Sequence, residues 1–310
     1  MQRHVLSLSV ALLLGSALAA AQPPSETQGF RAGQPLGTTN EAGVATPITD
    51  NVKVFGSFRF AESCTYDPNR NLIVVMNAGM PQDVQPNDGY VSLVHPDGTV
   101  HTTKWIGATR EGLTLNQPLG SAVQGDTLYT VDTDVVRTFD LATGRPGRVY
   151  QVPGATILNG IAVTSDGTIY ASNTREPERI YRITAAGDVS TFVDGPPLAL
   201  PNGVAIDPEG NVVVVNIGDN SVLTFDEDGD LVRTEHAVES GNDGIVILPD
   251  GTKYVSSVRF GSVSRIRPGE EAEVIAAGIP SAASMCYDSR QNQLVIPMND
   301  HNALAFVALD

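Results

Sequence analysis

Oxygen-bearing side chains recur at one position of a repeat that runs through most of the chain. In the three clearest copies this position is followed by glycine and an apolar run, and these copies are 43 and 41 residues apart. Over six copies the position holds Glu62, Leu119, Asn159, Asn202, Asp243 and Ala283. Four of these residues carry oxygen donors, two as carboxylates and two as carboxamides. Such a set suits a hard cation, so Ca²⁺ is the expected metal, with Mg²⁺ or Mn²⁺ as alternatives.

The same set does not suit zinc. Zinc sites in proteins rely mainly on cysteine and histidine, and no cysteine or histidine of this chain falls on the repeated position. A structural explanation stays open for Asn159, Asn202 and Asp243, because Asn-Gly and Asp-Gly are common turn dipeptides. It explains Glu62 poorly, since glutamate is not a turn former and serine rather than glycine follows it.

The repeat also predicts the elements that hold these side chains. Each copy leads through a polar turn into a second strand-like run, such as residues 211–216, and two further alternating runs follow. Four short strands per unit, repeated six times at about 40 residues, are typical of a β-propeller. The predicted fold is therefore all-β, a six-bladed β-propeller over residues 51–310. Because innermost strands surround the axis and begin on one face, the six repeated side chains should converge at one end of the channel.

The ends of the propeller are expected to meet. The last unit supplies only three strands, and a strand-like run at residues 52–55 has no partner of its own. We expect this run to complete the sixth blade, which removes an exposed sheet edge. Cys64 and Cys286 lie on equivalent strands of the first and last units, one step out of register, so they face opposite sides. Neighbouring blades touch through opposite faces, so a disulfide is expected there. Two buried free thiols are the alternative.

The first 50 residues are expected to lie outside the propeller. Residues 1–21 contain Arg3, an apolar run over residues 5–18 and then alanines, which is the pattern of a cleaved signal peptide. The run is shorter than the roughly 20 residues that span a bilayer. An uncleaved anchor is the alternative. Residues 22–50 are rich in Pro, Gly, Thr and Ala without periodicity, which indicates a flexible segment. We expect a secreted or periplasmic protein with no stable membrane anchor.

The composition argues against polyanionic partners. The chain has 35 acidic and 19 basic residues, for a net charge of −16, so it lacks the positive surface that nucleic acid requires. It also lacks the Gly-x-Ser-x-Gly elbow of serine hydrolases and the glycine-rich phosphate and dinucleotide loops. A small molecule is therefore the expected partner, and nothing in the sequence indicates a protein partner.

The ordered set of Glu62, Asn159, Asn202 and Asp243 on a six-unit repeat resembles the senescence marker protein/gluconolactonase family, also called regucalcin-like lactonases. The resemblance covers about residues 50–310. It implies that Glu62, Asn202 and Asp243 bind a divalent metal in the axial channel. It further implies that Asn159 is an auxiliary ligand and that Asp243 acts as the catalytic base.

Two departures from the family pattern concern the substrate. Ser63 and Cys64 follow Glu62 where the family has Gly-Pro, and Ile157 stands where sugar-lactone members have arginine. The resemblance thus implies a metal-dependent lactonase or esterase, in which the ion polarises a carbonyl and activates water while Asp243 takes a proton. The alternative is a non-catalytic propeller whose ion stabilises the channel while its loops bind a protein or small ligand.

The ends of the second strands supply candidates for substrate binding. These strands run back toward the same face, so their last residues should ring the mouth of the channel. The candidates are Asn77, Asp132, Asn173, Asn216, Asn299 and, just beyond a strand, His301. Capping of strand ends is the alternative for the Asn and Asp residues, and a solvated loop position is the alternative for His301.

Overall fold

The computed structural model describes residues 35–56, 58–79, 87–107 and 113–310. In these residues the chain forms 26 strands and one short 3-10 turn, and the strands make six four-stranded antiparallel sheets and one two-stranded hairpin. The six-bladed β-propeller is therefore confirmed. No helix in this part of the chain has the length and apolarity to cross a membrane. The predicted signal peptide, residues 1–21, lies outside the described residues.

The strands follow the order of the repeat. Three strands precede the first complete blade: β1 (Pro35–Thr39), β2 (Ala45–Pro47) and β3 (Val52–Gly56). From the axis outward, the first blade is β4 (Ala61–Asp67), β5 (Leu72–Asn77), β6 (Tyr90–Val94) and β7 (Val100–Gly107). The second blade is β8 (Pro118–Gln124), β9 (Thr127–Asp132), β10 (Val135–Asp140) and β11 (Pro146–Gln151). The third blade is β12 (Leu158–Val163), β13 (Ile169–Asn173), β14 (Arg179–Ile183) and β15 (Val189–Asp194). The fourth blade is β16 (Pro201–Ile206), β17 (Val212–Asn216), β18 (Ser221–Phe225) and β19 (Leu231–His236). The fifth blade is β20 (Asn242–Ile247), β21 (Lys253–Ser257), β22 (Ser262–Ile266) and β23 (Glu273–Ala276). The sixth blade is β24 (Cys286–Asp288), β25 (Gln293–Met298), β26 (Ala303–Ala308) and, outermost, β3.

The apolar core lies between the blades. In β17 every residue is buried, and the strand reads Val-Val-Val-Val-Asn. Val212 and Val214 pack into one apolar cluster while Val213 and Val215 pack into the next, because successive side chains of a strand point to opposite faces. A strand covered on both faces by neighbouring blades therefore needs a continuous apolar run. The outer strand β19 is mostly exposed.

The predicted ring closure is present. Strand β3 pairs antiparallel with β26, with Val52 opposite Val307 and Gly56 opposite Ala303. On the inner strands of the first and sixth blades, Cys64 and Cys286 form a disulfide that joins positions 222 residues apart in the chain. Strands from the two ends of the propeller sequence thus share one blade, and a covalent bond ties that blade to the first.

The expected flexible segment over residues 22–50 is wrong for residues 35–50. Strands β1 and β2 form a hairpin that packs on the fifth blade, where the Glu41 N–H donates to Glu239 Oε1 at 3.2 Å. The Thr49 N–H donates to the carbonyl oxygen of Ala277 at 3.4 Å, and Ile48 is buried in the apolar core. Contacts with residues about 200 positions away stabilise this hairpin, so local composition does not reveal it. Residues 22–34 lie outside the described part of the chain.

Candidate functional site

The repeated position lies at the start of the innermost strand in each blade. It is the second residue of its strand in five blades, which hold Glu62, Leu119, Asn159, Asn202 and Asp243. Ala283 precedes the inner strand of the sixth blade. These inner strands pack against one another around the axis, which brings side chains from distant parts of the sequence to one end of the channel.

A β-bulge places each of these five residues. In every complete inner strand the pairing with the second strand shifts across the repeated position, for example between Leu158 and Ile161 and between Pro201 and Val204. Bulges leave a residue out of the ladder and redirect its side chain, and they are common beside active sites. The sequence signal for this feature is the glycine inside a strand-like run.

The glycine after the repeated position is required by close approach of the blades. A Cβ atom on Gly160 would overlap the carbonyl oxygen of Asn202, and a Cβ on Gly203 would lie 2.6 Å from the carbonyl oxygen of Asp243. Both glycines lie inside strands rather than in turns. The interpretation of Asn-Gly and Asp-Gly as turn dipeptides is therefore wrong for these copies.

Two buried serines bridge neighbouring blades beneath the site. Ser172 Oγ accepts a hydrogen bond from the Gly160 N–H at 2.8 Å and donates to the carbonyl oxygen of Asn202 at 2.6 Å. Ser256 Oγ makes the same pair of bonds with the Gly244 N–H at 2.9 Å and the Ala283 carbonyl at 2.8 Å. Each serine thus satisfies a bulged N–H that has left the ladder. Our sequence reasoning missed both residues, whose only signal is a serine one position before the end of a second strand.

The four oxygen-bearing side chains are buried and partly linked. Glu62 is 4% exposed, Asn159 9%, Asn202 0% and Asp243 2%. Asn202 Nδ2 donates to Asp243 Oδ2 at 3.2 Å, and Asn299 Nδ2 donates to Glu62 Oε2 at 2.8 Å. Among the described residues no lysine, arginine or histidine forms an ion pair with either carboxylate. Two acids are therefore buried together without a compensating cationic side chain.

The electrostatic consequence is a pair of weakened acids. Burial raises the pKa of Glu62 to about 7, with a further increase from the charge of Asp300 and a partial offset by the hydrogen bond from Asn299. Burial also raises the pKa of Asp243 well above its ordinary value, and the negative charge of Glu62 adds to this shift. The two carboxylates therefore lie close enough to influence each other across the channel.

The residues present fit a divalent cation. Asn202 Oδ1 and Asp243 Oδ1 are buried without a hydrogen-bond partner, and such oxygens are costly unless something pairs with them. A cation would pair with them and offset the repulsion between the two carboxylates. No cluster of three or more His, Cys, Asp or Glu side chains suited to a metal occurs in the described ranges. Coordination here would therefore depend on the asparagine oxygens as well as the carboxylates, as the hard-cation set requires.

Four of the predicted substrate contacts are buried under the loops. Asn77, Asp132, Asn173 and Asn216 are at most 1% exposed. Each accepts hydrogen bonds from backbone N–H groups of the loop that precedes its own blade's inner strand. Asp132 also pairs with Arg137 at 2.5 Å. This arrangement favours the capping alternative, and direct contact of these residues with a substrate stays a prediction.

The other two predicted contacts lie in the sixth blade. Asn299 reaches the site through its hydrogen bond to Glu62 and is 8% exposed. His301 is exposed, and its Nδ1 lies 3.0 Å from Ser281 Oγ. Asn299 is thus the member of the six candidates with a described hydrogen bond to a metal-ligand candidate, and His301 stands at the outer edge of the same face.

The opposite end of the channel holds a different kind of space. A cavity of about 740 Å³ opens there, lined mainly by inner-strand side chains such as Ile161, Ile206 and Ile247 and by the disulfide. None of its lining residues is Asp, Glu, His, Lys or Arg. Although this cavity is large enough for a ligand, its lining has no carboxylate, imidazole or cationic side chain, so we place the chemistry at the end that carries Glu62 and Asp243.

Comparison with known proteins gives the same fold. A gluconolactonase from Xanthomonas campestris superimposes with a TM-score of 0.64 and 17% identity, covering 84% of this chain and 90% of that one. Virginiamycin B lyase from Staphylococcus aureus superimposes with a TM-score of 0.58 and 13% identity, covering 84% of this chain and 100% of that one.

A sequence comparison finds a partial relative. Actin-interacting protein 1 of Caenorhabditis elegans is 25% identical over 130 residues, which are 41% of this chain and 20% of that protein.

The family assignment comes from the sequence match. The family model described as "SMP-30/Gluconolactonase/LRE-like region" matches residues 36–242. The match includes Glu62, Asn159 and Asn202 and ends one residue before Asp243. It covers about two thirds of the chain. The protein therefore belongs to the SMP-30/gluconolactonase/LRE-like family.

Proposed function

We propose that the protein is an extracytoplasmic hydrolase that opens a lactone or ester and depends on a divalent metal ion, with Ca²⁺ as the first candidate and Mg²⁺ or Mn²⁺ next. Family membership supports a lactonase-type hydrolase at the general level. One observation carries the metal dependence: Glu62 and Asp243 are buried together without a cationic partner, next to unpaired oxygens of Asn202 and Asp243. The predicted signal peptide supports the location.

The metal would be held by Glu62, Asn202 and Asp243, with Asn159 as an auxiliary ligand. When bound, such an ion polarises the substrate carbonyl and lowers the pKa of water. The chain itself prepares the donor atoms. Asn299 holds Glu62 through Oε2, and the bulged backbone fixes Asn202 beside Asp243. Little rearrangement of these side chains is then needed when the cation arrives.

Asp243 is the residue that we assign as the base. Its Oδ2 accepts a hydrogen bond from Asn202 Nδ2, while its Oδ1 has no hydrogen-bond partner. Because a carboxylate oxygen has two lone pairs, Oδ1 can face the cation with one and accept a proton from the attacking water with the other. Attack forms a new C–O bond at the carbonyl carbon, and the C–O bond to the leaving oxygen then breaks. The proton held at Asp243 passes to that leaving alkoxide, which balances the hydrolysis.

The test is an activity screen with chelation and matched variants. Chelator-treated protein should not hydrolyse a panel of lactones and esters, and added Ca²⁺, Mg²⁺ or Mn²⁺ should restore turnover. Asp243→Asn should lower kcat by roughly 100-fold or more, whereas Asp228→Asn, on an exposed turn, should be fully active. Full activity in chelator would disprove the metal dependence, and full activity of Asp243→Asn would disprove the assignment of the base.

A second candidate function is a non-catalytic propeller that a metal ion stabilises and that binds a protein or small ligand. The burial of Asn202 and Asp243, at 0% and 2% exposed, favours it, because a closed site suits a structural ion. In that case added cation would raise the melting temperature while no member of the lactone and ester panel would be hydrolysed.

A further inference from the structure

Six residues, one in each blade, lie on the segments that lead to the repeated position. These residues lie two positions before each repeated position, and we call them the rim. The rim consists of Phe60, Gln117, Ile157, Leu200, Gly241 and Ser281. Three of its six members carry large apolar side chains, at a place where a site for sugar-like substrates would need hydrogen-bonding groups.

The rim backbone is held by the ends of the second strands. The N–H groups of Ala78 and Ile217 donate to the carbonyl oxygens of Phe60 and Leu200 at 2.9 and 3.0 Å. The buried Asn173 makes a similar attachment, because its Oδ1 accepts the N–H of Ile157 at 3.0 Å. These hydrogen bonds hold the backbone of Phe60, Ile157 and Leu200.

The backbone at the rim makes its apolar residues unusual. Phe60 and Leu200 have φ angles of 48° and 54°, in the left-handed region that bulky L-residues rarely adopt. Gly241 and Ser281 have φ angles of 79° and 50° at the same rim position. The position thus favours glycine or a small polar residue. Unfavourable backbone conformations of this kind occur mainly at binding sites, where the surrounding structure maintains them.

The apolar rim residues form one sector of the face. Leu200 is 37% exposed, and Phe60 and Ile157 are half-buried against an apolar cluster that includes Leu119. Leu119 is itself the apolar member of the repeated position in the second blade. The first, third and fourth blades thus carry apolar side chains at the rim, while the second carries the buried Gln117. The fifth and sixth blades carry Gly241 and Ser281 at the rim, and the latter contacts His301.

We propose that this apolar rim binds the hydrocarbon part of the substrate. The preferred substrate is then a lactone or ester with an alkyl or aryl substituent rather than a polyhydroxylated sugar lactone. The carbonyl lies over the buried oxygen set, and the substituent lies against Phe60, Ile157 and Leu200. This inference rests on the proposed function and assigns its substrate class.

The experiment measures kcat and KM for γ-lactones whose side chain grows from methyl to heptyl, with glucono-δ-lactone as the polar comparison. Full burial of one methylene group corresponds to about a fourfold gain in binding, so kcat/KM should rise roughly two- to fourfold per added carbon on a partly exposed rim. The gain should appear in KM, because contact with a remote substituent stabilises ground state and transition state alike.

Leu200→Asn is the informative variant, because asparagine tolerates the left-handed backbone and the protein should fold normally. It should raise KM for the heptyl lactone about tenfold and raise KM for the methyl lactone much less. Leu231→Asn is the matched control, since Leu231 is 44% exposed but lies on the outer strand β19. It should behave as the wild type. Ile157→Thr gives a second, independent test and should also reduce the gain per carbon.

Each remaining outcome would overturn the inference. The substrate assignment is wrong if kcat/KM does not change with chain length, if glucono-δ-lactone is the better substrate, or if Leu200→Asn and Leu231→Asn behave alike. In these cases hydrolysis itself would still be observed and the proposed function would survive. Absence of turnover with every lactone and ester, with cation present, would instead overturn the proposed function and the substrate class with it.

Discussion

In the protein freed of divalent cations, the free energy of unfolding should fall as the pH rises from about 4.5 to about 7. Burial raises the pKa of Glu62 from 4.5 to about 7 in the folded protein. Between these values the folded state holds a proton that the unfolded state has released. The folded state then binds more protons, so the free energy of unfolding falls as the pH increases. The stabilisation is fully present below pH 4.5 and is lost as the pH passes through about 7.

The size of this effect follows from the shift of Glu62. A difference of about 2.5 units in pKa corresponds to about 3 kcal/mol at 1.36 kcal/mol per unit. Asp243 is shifted in the same direction and acts with the same sign. For a domain of this size, 1 kcal/mol changes the melting temperature by roughly 2–4 °C, so the expected decrease is about 6–12 °C.

The assay is thermal unfolding of chelator-treated, desalted protein in buffers from pH 4 to pH 8. Added Ca²⁺ should stabilise the protein more at pH 7.5 than at pH 5, because binding requires the charged carboxylates. Glu62→Gln should remove the part of the pH dependence that comes from Glu62 and should leave the part that burial of Asp243 causes. Glu227→Gln, on an exposed turn, should keep it. A melting temperature that rises over this pH range, or an unchanged pH dependence in Glu62→Gln, would refute the account of two uncompensated buried acids.

Three further changes test how the site is built. Ser172→Ala should cost about 2 kcal/mol, because it leaves a buried N–H and a buried carbonyl unpaired, and calorimetric titration should show roughly tenfold weaker cation binding. Ser92→Ala, which also removes two hydrogen bonds at a buried serine, should lower the melting temperature without changing cation affinity. Gly160→Ala should destabilise the protein by about 2 kcal/mol or more in urea unfolding, because the added methyl overlaps a neighbouring carbonyl. Replacement of Cys64 and Cys286 by serine should cost about 4 kcal/mol, as judged by the same unfolding measurement with and without reductant.

Each of these expectations has a result that contradicts it. Equal cation affinity in Ser172→Ala and wild type would show that the serine bridge supports the fold alone. Wild-type stability of Gly160→Ala would mean that adjacent blades can separate at this point without cost. A reductant effect on the double serine variant as large as on the wild type would show that the disulfide is not the group being reduced.

The period of the sequence was enough to predict the fold, because each blade repeats the same order of strands and turns at nearly the same spacing. Asn159, Asn202 and Asp243 mark the same place in three blades, and the near-40-residue spacing between them excludes a simple sandwich. The same register predicted the pairing of β3 with the last blade. It also identified Cys64 and Cys286 as neighbours. These features depend on strand alternation, which is written directly into the sequence.

Features that lie outside the repeat, or that depend on which backbone group a side chain meets, could not be predicted. Glu239 holds the hairpin of β1 and β2, and Ala277 holds Thr49 just after it, which nothing in residues 35–50 reveals. The role of Ser172 depends on a bulge that frees one N–H in its own blade and on a carbonyl of the next blade. The caps formed by residues such as Asn173 look identical in sequence to substrate contacts. Only the positions of the loop N–H groups distinguish the two roles.

The shared sixth blade has a consequence for how the ring is assembled. Strand β3 leaves the ribosome before any complete blade exists, yet its partner β26 is made about 250 residues later. During synthesis β3 therefore has an unpaired edge, and Cys64 lacks its native partner, until the last blade has been made. Formation of this disulfide therefore reports that the ring has closed, since the native bond can form only once the final blade has docked beside the first.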